Sequence, residues 1–196
     1  NQLVGFHPDR TMPHLADTTL KKWFLKRSEE RGVRSANSLR QRSSLLAPHS
    51  SLLFFCDEFT NYNDVEVGQK AIQLLERLGY TVTIPDHAES GRTYLSKGLV
   101  DEARKLAIRN VTLLKDQVTA ETPLIGLEPS AILTFRDEYP DLVPTELKAD
   151  AQRIAKNVFL FEEWLAQEVD AGRVNKSLFT EEARLVKVHG HCHQKA

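Results

Sequence analysis

His189, His191, Cys192 and His193 place three imidazoles and a thiol within five positions. Neutral imidazole and thiolate suit zinc or iron. In an extended run, alternation sends the three histidines to one side and Cys192 to the other, so the segment cannot aim all four at one ion. A ligand role needs donors from elsewhere, with His87 a candidate; a polar turn is the other reading. Two further segments, Glu89-Ser90-Gly91-Arg92 and Glu128-Pro129-Ser130, stand just before expected helices. Exposed amides at a helix start attract anions, and Arg92 could add a bidentate carboxylate contact. Ser and Glu at such places also serve simply as caps. Cys56 lies in an apolar run and reads as a buried, inert thiol. There is no GxGxxG or GKS/GKT loop to cradle a nucleotide phosphate, and no GxSxG elbow to support a hydrolase triad.

The elements that would position these residues follow from periodicity. SLLFFCD is a short apolar run suited to a strand buried on both faces. From Asp64 to Leu78 the apolar residues fall at helical spacing, and Gly79 stops them. TVTIP reads as a second strand, Leu99 to about Val118 as a long helix, and LIGLE as a third strand. Pro129 and Ser130 open a helix to about Tyr139. One amphipathic helix is expected from about Glu146 to Val169, then a last strand, RLVKVHG. Alternating strands and helices at this spacing imply an α/β fold: a mostly parallel sheet of about four strands, helices on both faces. Ligands of such sheets bind beyond the carboxyl ends of the strands. Those ends read Asp57 to Asn61, Asp86 to Arg92, Glu128 to Ser130 and His189 to His193, so the polar segments gather at one edge.

Ahead of the sheet, Leu15, Leu20, Trp23, Phe24 and Arg27 suggest a short helical arm over 1–27, with Asp17 and Thr18 as capping residues. Residues 28–51, rich in Ser, Arg and Asn, read as a linker, and 52–188 as the α/β domain. The 196 residues carry 41% apolar and 27% charged side chains and a formal charge of −1. The first fifty residues hold nine Lys/Arg against four Asp/Glu, leaving the remainder acidic. With no overall basic excess, nucleic acid is not the expected partner. No apolar run approaches a membrane span, and no signal-peptide pattern opens the chain. Two cysteines make neither a disulfide framework nor the usual four-thiolate set of an iron–sulfur cluster. A reducing, cytoplasmic setting is expected, with a peripheral seat on the inner membrane face left open.

Taken in order, FTNYNDVEVGQKAIQLLERLGYTV, GRTYLSKGLVDEARKLAIRNV, GLEPSAILTFRDEYPDL and HGHCHQKA resemble the cysteine-rich (CCG) region of large FAD-linked oxidases. These are the glycolate oxidase and D-lactate dehydrogenase-like flavoproteins. They join a flavin domain and a ferredoxin-like four-iron segment to two tandem cysteine-rich repeats. The repeats also occur in heterodisulfide reductase and glycerol-3-phosphate dehydrogenase subunits. The resemblance covers about Leu52 to Ala196, and HPDRTMPHLADTTLKKWF resembles the stretch joining the ferredoxin part to the first repeat. The family repeat reads as one cysteine, a gap of thirty to forty residues, CCG, a similar gap, then CxxC. Here Cys56 is followed after 32 residues by Glu89-Ser90-Gly91, and Glu128-Pro129-Ser130-Ala131 comes after a similar gap. Gly91 is what survives of CCG, and Cys56 matches the first cysteine by position. The resemblance thus implies a first repeat whose frame is kept and whose thiolates are gone. Carboxylate and hydroxyl do not replace soft thiolates around such a cluster.

The resemblance further implies that 189–196 open the second repeat, with Cys192 acting alongside residues beyond this chain. The start at Asn1 and the stop after HCHQKA are then those of a piece of a longer protein. That parent would be an FAD- and 4Fe-4S-dependent oxidoreductase of D-2-hydroxy acids such as lactate or glycolate. The piece itself would be a cluster-free electron-transfer scaffold, with no catalytic residue and no cofactor of its own. Its partners would be the flavin domain, the ferredoxin-like segment, the second repeat and an electron-acceptor protein. Two other readings stay open. One is a docking module using Glu89, Arg92, Glu128 and Ser130; the other is a metal-binding module using His189, His191, Cys192 and His193.

Overall fold

The computed structural model describes residues 14–38 and 51–194, with side chains to residue 30 in the first segment and all but that of His193 in the second. The rest of the expected linker, 39–50, lies outside the described residues, as does most of HPDRTMPH. Within the described part, α1 (Leu20–Ser38) runs on through residues expected to begin the linker. It starts later than the Asp17 and Thr18 caps imply: the Thr19 hydroxyl accepts from the Lys22 amide at 3.2 Å and does the capping.

The α/β expectation is met. β1 (Ser51–Phe54), β2 (Thr81–Thr83), β3 (Leu124–Gly126) and β4 (Val158–Leu160) form one parallel sheet in the order β2-β1-β3-β4. Strand alternation divides the core. Leu52, Phe54 and Cys56 face one side, against α1, α3 (Val65–Arg77) and α9 (Phe161–Asp170). Leu53 and Phe55 face the other, against α5 (Val100–Leu114), α6 (Pro129–Asp137) and α8 (Thr145–Ala155). Each fully buried Leu or Phe contributes about 1.5–3 kcal/mol, so β1, buried on both faces, is the strand the fold most depends on. Short helices α2 (Glu58–Tyr62), α4 (Arg92–Ser96) and α7 (Tyr139–Leu142) complete the layers.

The fourth strand is not where the sequence reading puts it. The expected helix from Glu146 to Val169 is two helices, α8 and α9, parted by β4. Val158 to Phe161 is a run of four apolar residues that a one-sided helix cannot bury, whereas a strand beside β3 can. RLVKVHG, expected as that strand, pairs with none. Leu185, Val186 and Val188 are 93%, 71% and 85% exposed.

Close approach fixes two contacts. A Cβ on Gly126 would sit 2.7 Å from Ile132 Cβ, so glycine lets α6 lie directly on β3. A Cβ on Gly68 would sit 2.5 Å from a Leu20 methyl, where α1 seats on α3.

Candidate functional site

Because the chain passes from β1 to β2 on one side and then crosses back to β3 on the other, the strand order reverses at β1, and a crevice opens beyond the carboxyl ends of β1 and β3. Asp57 caps α2 on one side, its carboxylate accepting from the Thr60 amide at 2.9 Å and from the Thr60 hydroxyl. Glu128 caps α6 on the other, accepting from the Ala131 amide and the Ser130 hydroxyl. Burial pushes the Asp57 carboxyl up against the pull of its Thr60 bonds, and the nearby Glu128 charge adds to the rise.

The loop after β2 meets the same edge. Glu58 accepts from the Ser90 amide at 3.1 Å, and burial raises its pKa, with Asp57 and Glu89 adding to it. Gly91 stands at φ +80°, which glycine adopts freely, and it begins α4. Ser90 is buried, and its hydroxyl accepts from the Arg92 amide. The loop is held from below by Asn110 and Tyr139. The Asn110 amide group accepts from the Ala88 N–H at 2.8 Å and donates to the Glu89 carbonyl and the Tyr139 hydroxyl. That hydroxyl donates to the Ser90 carbonyl at 2.8 Å. Neither residue stands out in the sequence as chemistry, but Asn110 is a polar residue on the apolar stripe Ala103, Ala107, Val111, Leu114, which is a readable signal.

The candidate positions therefore converge, and most of their polar groups, the exposed Glu89 carboxylate apart, are already engaged. Cys56, Glu89, Ser90 and Gly91 lie on the β1 and β2 loops; Glu128, Ser130 and Ala131 lie across the crevice. Burial pushes the Cys56 thiol up to about 12, despite the opposing charge of Lys21, so it stays protonated. Its sulfur lies 3.5 Å from Asn61 Oδ1. Arg92 is ion-paired with Glu138. A protonated thiol, the helix-capping carboxylate of Glu128, the exposed carboxylate of Glu89, a hydroxyl and an alanine do not fit an iron–sulfur cluster.

The HGHCH segment reaches this edge without being a strand. Residues 192–194 form one 3-10 turn, the His191 ring lies 4.0 Å from Glu128, and Gln194 donates to Glu162. His189 and Cys192 are exposed, and the side chain of His193 lies outside the described ones. Among the described residues no three His, Cys, Asp or Glu side chains come together as a metal-binding group.

A cleft of about 410 Å³ opens beside the crevice, between α1, α2 and α5. Lys21, Cys56, Glu58, Tyr62, His87, Glu89, Tyr94 and Arg109 are among its walls. His87 stacks on Phe55 at 4.5 Å between ring centres, and burial lowers its pKa to about 4, so the ring is neutral. Its Nδ1 bonds the Ala88 carbonyl, while its buried Nε2 has no hydrogen-bond partner among the described residues.

Fold and edge together define a doubly wound parallel domain whose polar strand-end loops gather at one edge. Sequence comparison finds relatives among dehydrogenases. The chain is similar to D-2-hydroxyglutarate dehydrogenase of Escherichia coli K12, 31% identical over 143 residues, which are 71% of this chain and 14% of that enzyme. It is similar to one component of the anaerobic glycerol-3-phosphate dehydrogenase of the same organism, 26% identical over 166 residues, 84% of this chain and 37% of that component. The D-2-hydroxyglutarate dehydrogenase of Pseudomonas putida KT2440 is 31% identical over 115 residues, 59% of this chain and 11% of that enzyme. The chain thus spans well under half the length of these relatives, which are dehydrogenases. No family model and no solved structure matches it. No helix among the described residues is long and apolar enough to cross a membrane.

Proposed function

We propose that this chain is the first cysteine-rich repeat of an FAD- and iron–sulfur-dependent oxidoreductase of a D-2-hydroxy acid, and that the repeat holds no cluster. It would serve as scaffold between flavin domain, ferredoxin-like segment and second repeat, catalytically inert alone. The observation that carries this is the state of the replaced positions: Glu128 caps its helix, Ser90 and Glu89 are tied by backbone bonds to Glu58 and Asn110, and Ala131 offers no ligand. The similarity to D-2-hydroxyglutarate dehydrogenases supports a hydroxy acid, and adds hydroxyglutarate to the lactate and glycolate types.

Two measurements test it. The chain, reconstituted anaerobically with iron and sulfide, should show no cluster signal by electron resonance or visible absorption; a stoichiometric cluster overturns the cluster-free reading. The longer protein that contains it should reduce an artificial acceptor with D-2-hydroxyglutarate, D-lactate or glycolate; no activity with any of them overturns the substrate class.

The exposure of Leu185, Val186 and Val188 favours a docking reading as well. An extended run with Val186 and Val188 on one face and Leu185 on the other suits a strand added to a sheet, and the second repeat is the occupant we infer for it. Of the docking contacts expected from sequence, Arg92 is held by Glu138 and Glu128 by its own helix, while Glu89 is exposed.

A further inference from the structure

The cleft between α1, α2 and α5 is short of two things. Its walls carry two cations, half-buried Lys21 and exposed Arg109, that have no ion-pair or hydrogen-bond partner for their side chains among the described residues. The Lys21 ammonium is near enough to influence both Cys56 and His87, so it reaches the inner wall. A partly desolvated ammonium gains from an anion far more than an exposed one does. The second deficit is a donor. With Nδ1 bonded to the Ala88 carbonyl, the proton of the neutral His87 ring sits on Nδ1, and Nε2 is left as an acceptor. Among the described residues that nitrogen has no partner, in a side chain only 7% exposed. Leaving a buried acceptor unmatched is costly, and such an atom beside a cleft marks a place where a donor belongs.

The remaining wall narrows the class. Glu58 and Glu89 line the cleft too, which disfavours a multiply charged anion and welcomes a donor next to the single negative charge. Tyr62, Tyr94 and Leu106 supply apolar surface, and about 410 Å³ is far more room than a carboxylate needs. We propose that this cleft binds a small monocarboxylate that carries a hydroxyl or ammonium beside the carboxylate and an apolar body. Lys21 and Arg109 take the carboxylate, His87 takes the donor, and the tyrosines cover the body. The proposal is independent of the oxidoreductase reading, since no flavin or cluster enters it.

The test is titration of the 196-residue chain by calorimetry and by NMR. The probes are 3-phenyllactate (hydroxyl), phenylalanine (ammonium), 3-phenylpropanoate (neither) and inorganic phosphate (charge without body). Either or both donor-bearing probes should saturate with a Kd of about 1 mM or tighter, a modest −4 kcal/mol. 3-Phenylpropanoate should bind at least about fivefold more weakly, in keeping with one lost hydrogen bond. Which of the two donor probes is tighter identifies hydroxy or amino acid as the source. Lys21→Gln and Arg109→Gln should each weaken binding about tenfold, as loss of a charge-assisted bond does. His87→Phe should erase the preference for the donor and leave 3-phenylpropanoate binding unchanged. Arg109 is exposed, so its variant reads binding even if His87→Phe fails to fold. Absence of saturable binding by both donor probes, equal affinity in both charge variants, or phosphate binding as tightly as the donor probes overturns the proposal.

Discussion

Replacing Asn110 by leucine tests whether side chains, rather than a metal cluster, hold the strand-end loop. Asn110 is fully buried and makes three hydrogen bonds: from the Ala88 amide, to the Glu89 carbonyl and to the Tyr139 hydroxyl. Leucine has the same branching with bulkier ends and suits the apolar stripe of α5, so no cavity follows. The Tyr139 hydroxyl keeps the Ser90 carbonyl as acceptor. The Ala88 amide and the Glu89 carbonyl lose their partners, and each unmatched buried group costs about 1–3 kcal/mol. Gain from burying the leucine offsets about 1 kcal/mol, leaving a net loss of about 1–5 kcal/mol. Urea unfolding gives the total, and hydrogen exchange gives its location: the Ala88 amide should lose protection before the β1 amides do. A double-mutant cycle with Tyr139→Phe should show coupling of at least about 0.5 kcal/mol, as residues sharing a network do. A stability change under about 0.5 kcal/mol with Ala88 exchange unaltered would refute the reasoning, because the loop would then be held by something else.

Burial lowers the His87 pKa from 6.5 to about 4, with Lys21 adding to the fall and the Ala88 bond and Asp86 opposing it. The unfolded chain then binds the proton that the folded chain refuses, so stability declines as pH drops from about 6.5 to 4, by at most about 3 kcal/mol. Asp57 and Glu58, raised by burial, act oppositely: their cost is present at neutral pH and is relieved on acidification through their folded pKa values. Urea midpoints from pH 7 to 4 should therefore be flatter on the acid side in His87→Phe than in the parent; identical slopes would count against a buried neutral ring. Gly126→Ala should destabilise by about 1–3 kcal/mol, because the new methyl meets Ile132 Cβ between a buried strand and helix; a thermal midpoint within a degree of the parent would sink this. Leu185→Ser with Val188→Ser should leave the stability of the chain within about 0.5 kcal/mol, as both are exposed. A loss above about 1 kcal/mol would mean that the segment pairs with this sheet after all.

Three strands, their order of connection and the edge where polar loops gather were legible because alternation and helical spacing act locally. β1 illustrates this: Leu52 and Phe54 on one face, Leu53 and Phe55 on the other, follow from a bare apolar run. β4 was not legible, since Val158 to Phe161 sits between two helical stretches whose apolar residues continue the same spacing. Only the open side of β3 decides that this run is a strand. RLVKVHG failed in the opposite sense, with every local sign of a strand and no neighbour here to pair with. At the site, Cys56, Glu89, Ser90 and Glu128 could be found by spacing, but Lys21 and Arg109 could not. They come from α1 and α5, far apart in sequence, and it takes the packing of α1 on α3 through Leu20 and Gly68, with the Lys21 amide donating to Asn61 Oδ1 of α2, to bring Lys21 to the cleft.

The scarcity of thiols at this edge and the presence of the Asn110–Tyr139 network bear on each other. A bound cluster would tie strand-end loops together by metal bonds, making loop geometry depend on the ligand. Here Glu58 reaches Ser90, Asn110 reaches Ala88 and Glu89, and Tyr139 reaches Ser90, so three elements grip one short loop with hydrogen bonds alone. Glu128 and Asp57, on opposite sides of the crevice, spend their oxygens on helix caps, and burial holds the Cys56 thiol protonated. A single cysteine placed at Glu128 or Ser90 would therefore not make a ligand set. It would remove a side-chain bond that now shapes the edge, the Glu128 helix cap or the Ser90 hydroxyl that accepts from the Arg92 amide, whereas Glu89 contributes through its backbone carbonyl. The edge is held by hydrogen bonds of its own, which is why its geometry can persist while the neighbouring cleft is free to take a ligand.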